Sequence, residues 1–237
     1  MSAGAKILVT RPFAQGQKTA ALLKERGFQP VLCPMLEIQN VSHAFPEGSY
    51  EAFILTSMNA AQCAEVEAAE KDLAVFCVGD QLSAYLKELG FQNITVAPTV
   101  LELADLLAGV EAQDFLYLRG EDIRCDLAQL LPQKNIADVI VYKAVQKTDV
   151  PEEVLEELRG GQIETILFYS VRSAQSFVSA LEKAGALSCV QGTKALCLSP
   201  SVLESISVLP WKESRSALRP VQDALLEELL QASRKNM

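Results

Sequence analysis

Phe53-Ile54-Leu55-Thr56-Ser57-Met58-Asn59-Ala60-Ala61-Gln62 is a short continuous apolar run that ends in hydroxyl residues and turns at once into a helix start. The same design returns at Ile166-Leu167-Phe168-Tyr169-Ser170-Val171-Arg172-Ser173-Ala174-Gln175. Uninterrupted runs of this length suit strands buried on both faces, as in a parallel sheet covered by helices. A second strand-to-helix turn follows each of them, Cys77-Val78-Gly79-Asp80-Gln81-Leu82-Ser83 in the first case and Cys197-Leu198-Ser199-Pro200-Ser201-Val202-Leu203 in the second. The repetition favours two similar sheets of about five strands over one wide sheet.

Outward from these junctions, comparable runs occur at 6–10, 31–36, 52–56, 74–78, 94–97, 115–118, 139–145, 165–169, 195–198 and 206–209. Helix-period segments lie between most of them. Three helices end by one device, a Leu four residues before a Gly suited to the left-handed C′ conformation: Leu23 and Gly27, Leu86 and Gly90, Leu181 and Gly185. Thr99 and Glu102 have capping-box spacing, and Pro151 and Pro220 stand where prolines open helices. The alternation of strand and helix predicts an α/β fold with parallel sheets. Only 31–38 and 139–145 are long strand candidates with polar interruptions, either of which could leave a sheet as a connection. Chain order by itself suggests a tandem divided near Gly109.

The chain has 237 residues, 49% hydrophobic and 22% charged, a composition that excludes disordered or low-complexity classes. Its net charge of −9 argues against a nucleic-acid partner, which needs a basic footprint. Six scattered cysteines without C-x-x-C spacing read as small buried hydrophobes, and one histidine cannot build an imidazole metal cluster. No long apolar stretch and no basic leader stand in the sequence, so a cytoplasmic protein without a membrane span is expected.

In parallel α/β sheets ligands gather at the C-terminal ends of strands, beside helix N-termini. The residues expected there are Thr10-Arg11-Pro12, Thr56-Ser57-Met58-Asn59, Gly79-Asp80, Arg119-Gly120-Glu121, Ser170-Val171-Arg172-Ser173 and Ser199-Pro200-Ser201. Each turn alone reads as ordinary helix capping. Together, with Arg11 and Arg119 at strand ends, they point to a site for carboxylates or phosphates. No G-x-G-x-x-G, G-x-x-x-x-G-K-[ST] or G-x-S-x-G occurs at a strand end, so nucleotide-cofactor and hydrolase readings lose their support. His43 falls in a polar loop, Glu152-Glu153 and Glu156-Glu157 read as an outer helix face, and Leu225, Leu226, Leu229 and Leu230 read as the docking face of a C-terminal helix. Tyr142, within Val139-Ile140-Val141-Tyr142-Lys143-Ala144-Val145, differs from these. Strand alternation puts it on the face opposite Val141 and Lys143, where an aliphatic residue is the rule. A buried ring with a surface hydroxyl explains it; so does a hydrogen-bond donor or weak general acid in a cleft.

The ordered series Ile7-Leu8-Val9-Thr10-Arg11-Pro12, Leu55-Thr56-Ser57-Met58-Asn59-Ala60, Val78-Gly79, Leu118-Arg119-Gly120, Val139-Ile140-Val141-Tyr142 and Phe168-Tyr169-Ser170 resembles uroporphyrinogen-III synthases over essentially the whole chain. That family closes the linear tetrapyrrole hydroxymethylbilane to uroporphyrinogen III, with loss of water and inversion of ring D through a spiro intermediate. The resemblance implies two flavodoxin-like parallel-sheet domains joined by two linker strands. Domain one would be 1–36 with 147–237, domain two 39–144, and the active site would lie in the cleft between them. It implies Tyr142 as the catalytic residue and Arg11, Ser57, Asn59, Gly79, Arg119, Gly120, Ser170, Arg172 and Ser201 as substrate-binding residues. No cofactor and no metal are implied. A monomer in transient contact with hydroxymethylbilane synthase is expected. Ser199 departs from the Gly usual at the second-repeat turn, which puts close backbone approach to a ligand there in question. Two other readings stay open on the residues alone: a non-catalytic two-domain binder of a small anion, and a nucleotide-sugar glycosyltransferase.

Overall fold

The computed structural model describes residues 4–46, 48–123 and 125–234, so Met1, Ser2 and Ala3, read above for a leader, lie outside it. The chain starts with β1 (Lys6–Val9), α1 (Phe13–Glu25) and β2 (Gln29–Leu32). It continues through β3 (Leu36–Asn40), β4 (Ala52–Leu55), α2 (Met58–Cys63), β5 (Ala74–Val78), α3 (Asp80–Glu88), β6 (Ile94–Ala97), α4 (Val100–Gly109), β7 (Asp114–Gly120), α5 (Leu127–Leu130) and β8 (Asn135–Gln146). It ends with α6 (Glu152–Arg159), β9 (Ile163–Phe168), α7 (Val171–Lys183), β10 (Lys194–Cys197), α8 (Pro200–Glu204), β11 (Glu213–Ser216) and α9 (Gln222–Arg234).

Two compact units result. Unit one is Met1–Glu37 with Val145–Met237, unit two is Ile38–Ala144, and the chain passes between them within β3 and near the end of β8. The unit-one sheet runs β2-β1-β9-β10-β11, all parallel, which in chain order is the flavodoxin sequence of strands. The unit-two sheet runs β6-β5-β4-β7-β8, parallel throughout, with β3 hydrogen-bonded at the β8 edge. In each sheet the strand order reverses beside the unit's central strand, between β1 and β9 in unit one and between β4 and β7 in unit two. Such reversals leave a crevice at the carboxyl ends of the strands.

Both sheets are covered on two faces because their strands are apolar on both. In unit one Leu8 and Phe168 face α6 and α7 through Val154, Leu158 and Phe177, while Ile7, Val9 and Leu167 face α1 and α9 through Leu23, Leu225 and Leu229. In unit two Leu116 and Leu118 meet α2 and α3, and Phe115 and Tyr117 meet α4 and α5. The C′ glycines fulfil their sequence reading: Gly27, Gly90 and Gly185 have φ of 82°, 97° and 63°. Thr99 and Glu102 form the capping box reciprocally.

Three local expectations are corrected. Residues 206–209 form turns, not a strand; Ile206 and Leu209 are apolar because they pack into the core beneath α8. The fifth strand of unit one is instead β11, whose sequence Glu-Ser-Arg-Ser carries no apolar signal. Pro151 is the N-cap of α6, and Pro220 precedes α9 by two residues, so neither occupies the first helical position.

Candidate functional site

The crevice at the β4–β7 reversal is open. Thr56 and Ser57 leave β4 there, Tyr117, Arg119 and Gly120 end β7, and Tyr142 reaches in from β8 around a cavity of about 450 Å³. Val78, Val100, Asp122, Ile123 and Cys125 complete its wall.

Tyr142 arrives by a break in register. Leu118 and Arg119 pair with Val139 and Ile140, but the next partner of Gly120 is Tyr142, with Val141 skipped. The extra residue turns Tyr142 onto the cluster that contains Val139 and Val141, so the simple alternation read from the sequence is corrected here. Its ring then lies against Gly120. A Cβ on Gly120 would stand 2.6 Å from Tyr142 Cζ, which is why this strand end has no side chain. The phenol oxygen is 3.0 Å from Ser57 Oγ. Ser57 also caps α2 by accepting from the Asn59 backbone N–H at 3.2 Å.

A second hydroxyl pair lies beside the first: Tyr117 Oη and Thr56 Oγ1 are 2.8 Å apart. Burial lifts the Tyr117 phenol above its ordinary pKa, against the lowering effect of the Thr56 bond, so it stays protonated. Tyr117 was missed in the sequence. The reasoning that singles out Tyr142, a phenol in a strand where aliphatic residues are the rule, applies to it equally.

Arg119 and Arg11 both donate to groups of the protein itself. Arg119 Nε and Nη2 each lie 2.7 Å from Asp138 Oδ2, and Nη1 donates to the Gly120 carbonyl at 2.9 Å and to the Glu121 carbonyl at 3.3 Å. In unit one Arg11 follows the end of β1 and packs against Tyr169, the residue after β9. Its guanidinium lies 4.3 Å from the Tyr169 ring centroid and donates to Thr19 Oγ1 at 3.3 Å and to Gln222 Oε1. Burial holds the Arg11 pKa below its ordinary value and raises that of Tyr169.

Gly79 opens α3 with φ of 86°, a conformation that only glycine adopts without strain. Ser199 opens α8 at φ −150°, ordinary extended backbone, so that turn makes no demand for glycine. Ser170 caps α7, accepting from Ser173 N at 3.2 Å, with the two hydroxyls 2.9 Å apart. Arg172 lies in the first turn of α7, and Ser201 is exposed with its hydroxyl 3.0 Å from that of Ser199. The expected site residues thus fall in two groups. Ser57, Asn59, Gly79, Arg119, Gly120 and Tyr142 gather in unit two, and Arg11, Ser170, Arg172 and Ser201 in unit one. His43 is outside both, its Nδ1–H donating to the Val41 carbonyl at 2.8 Å and its ring stacked on Phe45. Among the described residues no helix is long and apolar enough to cross a membrane.

No curated protein sequence matches the chain significantly. Solved structures do. A uroporphyrinogen-III synthetase from Helicobacter pylori superposes with a TM-score of 0.65 at 17% identity, covering 96% of this chain and 99% of that one. A mutant uroporphyrinogen III synthase from the extremely thermophilic bacterium Thermus thermophilus gives a TM-score of 0.52 at 15% identity, covering 98% and 100%. These likenesses establish the fold. The model of the family described as uroporphyrinogen-III synthase HemD matches residues 17–227. A match over nearly the whole chain, on a fold shared with two structures of that name, places this protein in the uroporphyrinogen-III synthase family.

Proposed function

We propose that Tyr142 supplies the hydrogen bond that draws the hydroxyl from hydroxymethylbilane, in the reaction of the family to which the chain belongs. The single observation that carries this is the Tyr142–Ser57 pair at the edge of the unit-two cavity. Ser57 Oγ already accepts from the Asn59 N–H, and in the arrangement proposed it donates its own proton to Tyr142 Oη. The phenol proton is then left pointing away from Ser57, available to the substrate. The terminal C–O bond breaks with its electrons on oxygen, the oxygen takes up a proton and leaves as water, and the pyrrole nitrogen lone pair yields an azafulvene cation. Ring D attacks that methylene carbon through its substituted α-carbon to give the spiro intermediate. The bond from that α-carbon to its original methylene then breaks, and the released methylene is captured by the free α-carbon of ring D. Loss of that carbon's proton restores the pyrrole and balances the proton taken up by the departing water. Since the activated chain also closes unaided to the wrong isomer, the protein's task is to favour one attacking carbon. About 2.7 kcal/mol of differential barrier gives roughly a hundredfold preference.

In this reading both domains, 1–36 with 147–237 and 39–144, serve the substrate. Its carboxylates meet Ser57, Asn59 and the Gly79 turn from the second domain and Ser170, Arg172 and Ser201 from the first. These are hydroxyls, amides and helix starts that favour anions. Arg119, held by Asp138 and two backbone carbonyls, and Arg11, whose Nη1 is held by Thr19 and Gln222, contribute positive charge and shape. The protein works as a cytoplasmic monomer and receives its unstable substrate by transient contact with hydroxymethylbilane synthase. The test is to supply fresh hydroxymethylbilane and separate the porphyrin isomers after oxidation. Wild type yields isomer III, and Tyr142→Phe falls towards isomer I at the spontaneous rate. Isomer I alone from the wild type would remove the synthase reading, and full isomer III activity in Tyr142→Phe would remove Tyr142 from the mechanism.

A further inference from the structure

We infer that the Arg119–Asp138 pair is a positioning device that holds Tyr142 in place, and that Arg119 is not a receptor for a substrate carboxylate. The inference deepens, and rests on, the role of Tyr142 given above.

Arg119 donates from Nε to Asp138 Oδ2 and from Nη1 to the carbonyls of Gly120 and Glu121, and its Nη2 lies 2.7 Å from the same Asp138 oxygen as an ion-pair contact. The Nε–Nη2 edge, one that could take a carboxylate by two parallel bonds, already faces Asp138. The side chain is only 14% exposed.

Its contacts converge on the place where the register breaks. The two carbonyls it holds belong to the residues that locate Tyr142: Gly120, whose Cα supports the ring, and Glu121, whose N–H donates to the Tyr142 carbonyl at 2.9 Å. Asp138 anchors the other side, on β8 opposite Tyr117 and ahead of the skipped residue. The ion pair therefore spans β7 and β8 just below the bulge and fixes both strands relative to it. Without it the carbonyls of Gly120 and Glu121 lose their side-chain donor, and regular pairing would set Gly120 opposite Val141. A slip of one residue sends a side chain to the other face of the sheet. Tyr142 would then lie on the face of Asp138 and Ile140, away from Ser57.

The experiment compares kcat, KM, the ratio of isomer III to isomer I and the melting temperature for Arg119→Ala, Asp138→Asn, the double variant and Tyr142→Phe. Asp138→Asn keeps the shape of the side chain and guards against a folding failure. Each single variant is expected to lower kcat for isomer III by about tenfold or more, the scale of a small misplacement of a reacting group. KM should stay within about twofold, as it does when an interaction made only in the transition state is lost. The product should shift towards isomer I, and the double variant should be no slower than the slower single. A raised KM in Arg119→Ala with both constants unchanged in Asp138→Asn would overturn the inference by making Arg119 a substrate ligand. So would a lowered melting temperature with unchanged kcat, which would make the pair structural only. Full activity in Tyr142→Phe would instead remove the underlying reading, so the two failures are distinguishable.

Discussion

Gly120→Ala isolates the contact on which the site depends. The added methyl would stand 2.6 Å from Tyr142 Cζ, 2.8 Å from Oη and 2.9 Å from Cε1. Ordinary carbon contacts are about 3.5–4.0 Å, so the ring must retreat by about 1 Å. The backbone gives no help or hindrance, since the φ of Gly120 is not among the positive ones. A retreat of that size directed away from Ser57 would take the present 3.0 Å between Tyr142 Oη and Ser57 Oγ beyond hydrogen-bond range. A misplacement of this size costs roughly a hundredfold in rate, about 2.7 kcal/mol of barrier. The overpacking itself costs about 1–3 kcal/mol of stability. The assay is formation of isomer III from fresh hydroxymethylbilane at saturating substrate, with melting followed in parallel. In Tyr142→Phe the ring carbons and their clash remain but the hydroxyl is already gone, so adding Gly120→Ala should destabilise further without slowing the reaction further. Wild-type kcat and isomer ratio in Gly120→Ala would refute the reasoning, because the ring would then have somewhere to go that serves equally well.

Arg11→Met should behave oppositely. Loss of the Tyr169 stack and the bonds to Thr19 and Gln222 is expected to cost about 2 kcal/mol, discounted for the partly exposed guanidinium. That lowers the melting temperature by roughly 4–8 °C while KM changes little; a large rise in KM with unchanged melting would make Arg11 a substrate contact instead. Alkaline pH should destabilise the fold. Burial pushes the thiols of Cys33 and Cys197 up to about 12 and Cys77 to about 11, so the folded chain keeps protons that the unfolded chain releases near 9.0. Stability is intact below about pH 9.0 and falls as pH rises towards 11–12. A urea midpoint that stays level or rises over that window would contradict this.

What the sequence made legible is what short-range physics determines. Gly27, Gly90 and Gly185 end helices as expected because a left-handed residue after a helix is decided within a few residues. The strand-to-helix junctions after β4 and β9 were visible because strand, cap and helix start lie in one stretch. β11 was invisible because an edge strand with the sequence Glu213-Ser214-Arg215-Ser216 pairs through its backbone and buries little. The bulge at Tyr142 was invisible for a different reason: reading faces by alternation assumes a regular pleat, and the skipped Val141 is apolar like its neighbours. The arginines were found, but not their direction. Arg11 is satisfied by Gln222 near the other end of the chain, and Arg119 by Asp138 on the next strand. Such partners are chosen by topology, which no local pattern reports.

The division of unit one into two stretches of chain sets an order of events during synthesis. β1 is a central strand, flanked by β2 and β9, and β9 is encoded only after the whole of unit two. At a synthesis rate of roughly 5–20 residues per second, the ribosome needs about 7–27 seconds to pass from the end of β2 to the end of β9. Through that interval Ile7, Leu8 and Val9, wholly buried in the finished protein, have one neighbouring strand and no completed core. Unit two, contiguous from Ile38 to Ala144, can close its own sheet in the meantime. The nascent chain therefore carries a finished domain behind an unfinished strand-helix-strand fragment with exposed aliphatic faces, and that fragment is where chaperone demand and aggregation during expression should concentrate.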